Sequence, residues 1–194
     1  MINIILFGPP GSGKGTQAQF IVESKELTHI STGDIFRKNI QQKTTLGNLA
    51  SSYMNEGKLV PDQVTIDLLE SEIDSHTLSN GFIFDGFPRT IAQAHAFELF
   101  LKKKNMNLSL VISLEVSEDE LTQRLLKRGL ESGRQDDSNQ DIIRNRIQVY
   151  NNQTSVLKNH YQNSLKQSFF SIDGERNIDL ITRDILNVIS KCKI

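Results

Sequence analysis

The segment Gly8–Thr16, which reads GPPGSGKGT, decides the fold because it joins an apolar run, Ile2–Phe7, to a helical pattern predicted over Thr16–Glu23. Its glycines let backbone N–H groups turn inward, and these groups bind anions together with the helix N-terminus. Lys14 reaches outer phosphates as a point charge. Gly15 stands where the common phosphate-loop pattern has a magnesium-binding hydroxyl. The strand–loop–helix context favours a working phosphate site over a plain glycine turn.

Apolar runs alternate with longer helical patterns along the chain, which predicts an α/β fold. The runs are apolar almost throughout, as in strands covered on both faces, so we expect a parallel five-stranded sheet flanked by helices. The predicted strands are Ile2–Phe7, Thr28–Ser31, Gly81–Asp85, Leu108–Glu115 and Phe169–Asp173. Two segments interrupt the alternation. Residues 31–60 are helical without a strand, and residues 127–137 are polar with two glycines. Ligands bind at the carboxyl edge of such sheets, so both insertions are candidate lids.

Composition narrows the class of protein. The 194 residues carry a net charge of −1 and are 37% hydrophobic, which favours one soluble globular domain without an attraction to nucleic acid or membrane. The single cysteine, Cys192, excludes an intrachain disulfide and favours a reducing compartment. The apolar start, Met1–Phe7, is short and lacks a basic leader, so we expect a buried strand rather than a signal peptide. These features predict a cytoplasmic protein.

A first polar motif, HISTGDIFRKNI, follows the second predicted strand. Thr32 and Asp34 are suited to cap a helix that begins near Ile35, and we expect capping to be the role of Asp34. Arg37 would then lie near the helix N-terminus, where a cation opposes the helix dipole. That cost is small and is offset where an anion binds.

A second motif, FDGFPRTIAQ, ends the third predicted strand. Gly86 and Pro88 force a turn, after which Arg89 and Gln93 share one face at the start of a helix. The guanidinium suits phosphate, and the amide both donates to and accepts from a purine edge. The alternative is a capped helix with a solvated polar face.

The segments GPPGSGKGTQ, STGD and PRTIAQ together resemble the adenylate kinases, within the nucleoside monophosphate kinase family. In that family Lys-Gly-Thr is the normal form of the loop, and Thr16 supplies the hydroxyl. The resemblance implies ATP binding by Gly11, Ser12, Gly13, Lys14, Gly15, Thr16, Arg128 and Arg176. It implies AMP binding by Thr32, Arg37, Lys58, Leu59, Val60, Gly86, Phe87, Pro88, Arg89, Gln93, Arg134 and Arg146. It assigns catalysis to Lys14, Arg89, Arg128, Arg134 and Arg146, and it implies a cis bond between Phe87 and Pro88.

The same resemblance implies the domain plan and the cofactor. We expect one kinase domain over 1–194, with a core of 1–30, 61–126 and 138–194, an AMP-side insertion of 31–60 and a short lid of 127–137.

Magnesium would be carried by ATP oxygens and waters, with Asp85 in the outer shell and no direct protein ligand. The short lid lacks the hairpin that bears four cysteines in some members, so no structural zinc is expected. The substrates would be ATP, AMP and ADP, and a monomer is expected.

Three arginines match phosphate-gripping positions of that family: Arg128 and Arg134 of the lid, and Arg146 after it. We refer to these three as the lid arginines. Arg128 is predicted at a helix end beside Gly129, and Arg134 in a loop after Gly133. Asp136 and Asp137 are expected to pair with these arginines when no nucleotide is bound. Two further arginines are Arg124, for which Glu120 is a candidate surface partner, and Arg144, which we place outside the site. All four histidines are interpreted as surface or structural residues.

The implied reaction is MgATP + AMP ⇌ MgADP + ADP, and it needs no general base because the second pKa of the AMP phosphate is about 6. Three alternatives remain open from the sequence: a UMP/CMP kinase, a GTPase or ATP-hydrolysing switch, and a nucleotide-binding protein without activity. No Asn-Lys-x-Asp guanine motif occurs in the chain, which disfavours the GTPase.

Overall fold

A computed structural model describes residues 1–191, and Cys192 lies outside the described residues. The predicted five-stranded parallel sheet is confirmed, with strand order β2-β3-β1-β4-β5. Its strands are β1 (Ile2–Phe7), β2 (Thr28–Ser31), β3 (Gly81–Asp85), β4 (Leu110–Glu115) and β5 (Phe169–Asp173). Only β4 is shorter than predicted. It begins at Leu110, and the loop before it is tied to β1, where Ser109 N donates to Asn3 O and Asn3 Nδ2 donates to Asn107 O.

Helices cover both faces of the sheet. They are α1 (Lys14–Lys25), α2 (Thr32–Gln41), α3 (Thr45–Met54), α4 (Asp62–Ser75), α5 (Ile91–Lys103), α6 (Glu118–Ser132), α7 (Gln140–Val149), α8 (Leu157–Leu165) and α9 (Ile178–Lys191). The helix predicted from Thr16 begins at Lys14 because Gln17 N bonds to Gly13 O, which continues the helix directly from the loop. A π-helical turn, Tyr150–Thr154, follows α7.

The core consists of two layers because successive side chains of a strand point to opposite faces. Ile5 and Phe7 pack with α4, α5 and α8 on one face. Ile4 and Leu6 pack with α1 and α9 on the other. Each such side chain contributes about 1.5–3 kcal/mol on burial. Both faces of β1 are covered, which explains why its sequence is apolar except for Asn3.

The segment of 31–60 packs around a small apolar cluster of its own, formed by Phe36, Ala50 and Val60. Gly47 allows the backbones of α2 and α3 to approach, since a Cβ there would lie 2.1 Å from Asn39 O. Val64 and Leu68 of α4 also pack against this cluster, and Ile35 packs against the main core, so the insertion is attached to the core as well as held by internal contacts.

The polar segment of 127–137 is more helical than the sequence suggested. The expectation that Arg128 lies at a helix end was wrong, because α6 continues to Ser132. Leu121 and Leu125 anchor this helix against α7. Gly129 is a site of close contact, where a Cβ would lie 2.4 Å from Asp137 O.

Candidate active site

The phosphate loop forms one wall of a cavity of about 640 Å³ at the carboxyl ends of the strands. Gly11 and Gly13 adopt φ values of 86° and 93°, which favour glycine. All the loop residues expected to bind ATP line this cavity: Gly11, Ser12, Gly13, Lys14, Gly15 and Thr16. Lys14 Nζ donates to the carbonyl oxygens of Gly8 and Pro9, both at 2.9 Å. The ammonium is thus bound to the backbone at the start of its own loop.

Positive charge is concentrated around this lysine. Burial lowers the pKa of Lys14 to about 8; Asp85 opposes the shift, while Arg89, Arg128 and Arg146 add to it. A cation in such surroundings is stabilised when an anion binds beside it. The electrostatics of the cavity therefore favour a polyanionic ligand.

Arg89 is fixed by three hydrogen bonds at the turn between β3 and α5. Its Nε donates to Gly86 O at 2.7 Å, its N–H donates to Gln93 Oε1 at 2.7 Å, and its carbonyl accepts from Thr154 Oγ1 at 2.8 Å. Burial, reinforced by the Arg146 charge, lowers the pKa of Arg89 to about 10. Two of these bonds hold the backbone of Arg89, and the third holds its side chain against the turn.

The sequence misplaced Arg89 relative to its helix and missed Thr154. The residues Arg89 and Gln93 do not share a helix face, because Thr90 is the N-cap and α5 begins at Ile91. They are instead joined directly by a hydrogen bond. Thr154 belongs to the π-helical turn, for which the sequence carries no periodic signal.

Two of the lid arginines form ion pairs with Asp136 and Asp137, as the sequence predicted. Arg128 binds Asp137 through two hydrogen bonds of 2.7 and 3.2 Å. Arg146 Nη1 lies 3.1 Å from Asp136 Oδ2 and also binds Asp137. Burial opposes ionisation of Asp137, but Arg128 and Arg146 outweigh it and hold the pKa of that carboxyl below its ordinary value.

A second set of ion pairs joins the lid segment to the insertion. Asp34 Oδ1 lies 2.5 Å from Arg37 Nη2 and 3.3 Å from Arg134 Nη2, and Arg37 Nη1 lies 3.8 Å from Asp136 Oδ2. The capping role expected for Asp34 and Thr32 was wrong. Ser31 is the N-cap and its Oγ accepts from Asp34 N, which frees the Asp34 carboxylate for the arginines.

A smaller cavity of about 30 Å³ lies beside the first and is lined by half of the residues expected to bind AMP. Its lining includes Thr32, Lys58, Leu59, Val60, Arg89 and Gln93. Thr65, which the sequence analysis did not identify, also lines it. Gly86, Phe87 and Pro88 line the larger cavity, and the predicted cis bond between Phe87 and Pro88 is confirmed. The two cavities share five lining residues: Gly33, Met54, Lys58, Leu59 and Arg89.

The remaining arginines differ in their surroundings. Arg176 lines the larger cavity and pairs with Asp184 at 2.9 Å. Arg124 forms the expected pair with Glu120 at 2.7 Å, yet it also lines the cavity and donates to Gly174 O. Arg144 is mostly exposed and is absent from both cavity linings, in keeping with its exclusion from the site.

Asp85 ends β3 beside the phosphate loop. Its Oδ2 lies 3.6 Å from His29 Nε2, and a Cβ on Gly15 would lie 3.8 Å from the same oxygen. Burial opposes ionisation, but His29 and the charges of Lys14 and Arg89 leave the pKa of Asp85 below its ordinary value. An ionised carboxylate next to a phosphate loop has the chemistry that Mg²⁺ prefers. His29 lines the cavity, a position that the sequence did not reveal.

Comparisons with known proteins agree with this geometry. The family model described as adenylate kinase matches residues 6–166. A Flavobacterium psychrophilum protein named adenylate kinase is 52% identical over 190 residues, which cover 98% of this chain and 99% of the relative. Adenylate kinases of Bacteroides thetaiotaomicron and Corynebacterium urealyticum are 48% and 43% identical, each over 98% of this chain and 100% of the relative. The chain therefore belongs to the adenylate kinase family.

Proposed function

We propose that this chain is an ATP:AMP phosphotransferase that interconverts MgATP and AMP with MgADP and ADP, and so balances the cell's adenine nucleotides. One observation carries the proposal. The phosphate loop with its lysine and seven arginines from other parts of the chain line a single cavity, and a smaller cavity adjoins it. This arrangement suits two phosphate chains that meet head to head.

The proposed roles follow from position. The loop residues, with Lys14, Arg128 and Arg176, bind ATP. Arg37, Arg89, Arg134 and Arg146 bind the AMP phosphate, while the smaller cavity receives its base next to Thr32, Val60 and Gln93. Lys14, Arg89, Arg128, Arg134 and Arg146 neutralise the phosphoryl group in transit, where fixed donors are most effective.

The chemistry requires positioning more than acid–base catalysis. The attacking oxygen belongs to a phosphate that is largely ionised at neutral pH, so its proton need not be removed. Arg89 brings that oxygen to the γ-phosphoryl group and offsets the repulsion between the two anions. Magnesium bound to ATP supplies further charge neutralisation, and Asp85 is suited to hold it through water.

Closure over the substrates excludes water, which would otherwise accept the phosphoryl group. We assign this movement to the lid of 127–137 and the AMP-side insertion of 31–60. The pairs of Asp34, Asp136 and Asp137 with arginines are then exchanged for pairs with phosphates. The enzyme acts on MgATP as a cytoplasmic monomer without structural zinc, and neither nucleic acid nor membrane takes part. In residues 1–191, no helix is both long and apolar enough to cross a membrane.

A coupled assay with AMP, CMP and UMP as acceptors tests this function. We expect rapid ADP formation with AMP and at least a hundredfold lower kcat/KM with either pyrimidine nucleotide, because a buried amide that the wrong base leaves unpaired discriminates strongly. Preference for CMP or UMP would assign the chain to the pyrimidine branch. ATP hydrolysis without transfer to any acceptor would indicate a switch or a non-transferring ATPase.

A further inference from the structure

Asp62, the first residue of α4, binds two residues that follow Arg89 at the N-terminus of α5. Its Oδ2 accepts from Thr90 Oγ1 at 2.9 Å, and its Oδ1 accepts from Gln93 Nε2 at 2.8 Å. Neither the family resemblance nor the sequence patterns gave Asp62 a role. Its contacts cross from one helix to the start of another and reach the amide at the wall of the smaller cavity.

These contacts fix which way the Gln93 amide points. An ionised carboxylate only accepts hydrogen bonds, so the group facing Asp62 is the NH₂. The backbone N–H of Arg89 only donates, so the group facing it is the oxygen, at 2.7 Å. Gln93 is 1% exposed, and water does not substitute freely for either partner. A flipped amide would place donor against donor at Arg89 and acceptor against acceptor at Asp62.

The amide retains one free N–H and one free lone pair on its oxygen. Gln93 lines the smaller cavity, and these two groups are what its side chain has left for a ligand there. A 6-aminopurine offers the matching edge, with an acceptor at ring N1 and a donor at the amino group. A 6-oxopurine offers the reverse, with a donor at N1 and an acceptor at position 6.

We propose that Asp62 is a specificity-determining positioning residue, which locks Gln93 in the orientation that accepts a 6-aminopurine and rejects a 6-oxopurine. The proposal rests on the proposed function, in which the smaller cavity receives the acceptor base. Asp62 acts through Gln93 and does not itself contact the base.

Substitution of Asp62 by Asn tests the proposal, because an amide at position 62 presents either a donor or an acceptor to Gln93. Asp67→Asn is the matched control. Asp67 lies on the same helix, is exposed and binds only Gln63 among the described residues. Steady-state kinetics with AMP and with IMP, at saturating MgATP, give the acceptor selectivity of each variant.

We expect Asp62→Asn to raise the KM for AMP about tenfold and to lower the ratio of kcat/KM for AMP over IMP at least tenfold, from the loss of one charged hydrogen bond. The KM for ATP and the kcat at saturating AMP should stay within about twofold of the wild type. Asp67→Asn should match the wild type in every parameter. An unchanged AMP-to-IMP ratio in folded Asp62→Asn overturns the proposal.

A wild-type measurement covers the case in which Asp62→Asn does not fold. The 5′-monophosphate of unsubstituted purine riboside keeps the N1 acceptor and lacks the 6-substituent. A locked amide predicts kcat/KM in the order AMP, then purine riboside monophosphate, then IMP, whose edge opposes both groups. IMP equal to or better than purine riboside monophosphate overturns the inference. Absence of AMP phosphorylation by the wild type would instead refute the proposed function itself.

Discussion

Replacing Lys14 by Met should abolish most of the activity and make the nucleotide-free protein more stable at neutral pH. The pKa of Lys14 falls from 10.5 to about 8, chiefly through burial. At 1.36 kcal/mol per unit, the buried charge costs about 3 kcal/mol of folding free energy. Lys14 is partly exposed toward the cavity, which screens part of this cost, and Met loses the bonds to Gly8 and Pro9. We expect a net gain of about 1–2 kcal/mol.

The stability difference between the wild type and Lys14→Met should depend on pH. Between pH 8 and 10.5 the native Lys14 has lost its proton while the unfolded chain keeps it, so the unfolded state binds more protons. The free energy of unfolding of the wild type therefore rises with pH in this window. Lys14→Met lacks that contribution, and its advantage should be largest below pH 8 and shrink as the pH approaches 10.5.

Urea unfolding at pH 7, 9 and 10, without nucleotide, measures this directly. A gain of about 1–2 kcal/mol at pH 7 corresponds to a rise in Tm of about 2–8 °C for a chain of this size. Lys127→Met is the control, because that side chain is 77% exposed. Phosphoryl transfer by Lys14→Met should fall at least a hundredfold. The reasoning fails if the variant is less stable at pH 7 or if the stability difference does not change with pH.

Three further predictions concern Arg89, Thr154 and Gly47. Arg89→Ala should raise the KM for AMP and lower kcat more than it affects ATP binding, and an effect confined to ATP in steady-state kinetics would contradict its assignment. Thr154→Val removes the hydroxyl that holds the Arg89 carbonyl and should lower kcat/KM for AMP about tenfold, with recovery in Thr154→Ser; equal loss in both variants would indicate a packing defect instead. Gly47→Ala should destabilise the protein by about 1–3 kcal/mol because its Cβ would meet the Asn39 backbone, and an unchanged thermal midpoint would contradict that contact.

The sheet was predictable because both faces of the central strands are covered, which leaves runs such as Ile2–Phe7 apolar except for Asn3. The phosphate loop was predictable because all the residues of its motif, Gly8–Thr16, are consecutive in the sequence. The pairing of Asp136 and Asp137 with arginines was anticipated from charge alone. In each case the signal is local.

The errors and omissions arise from contacts between segments that are distant in the chain. Asp34 was interpreted as a cap because it precedes an apolar pattern, but Ser31 competes for that role and Arg134 approaches from the lid. Asp62 and Thr154 act on residues of the Arg89 turn from other helices. Single-sequence patterns do not encode such tertiary hydrogen bonds.

The central claim is that two nucleotides meet head to head across one cluster of cations. A crystal structure with a dinucleotide of two adenosines joined by five phosphates tests it most directly. We predict that Lys14, Arg89, Arg128, Arg134 and Arg146 all contact the phosphate chain, and that Asp136 and Asp137 release their arginines to it. A structure in which Lys14 stays on Gly8 and Pro9, and the lid arginines stay on Asp136 and Asp137 while the ligand is bound, would contradict the claim.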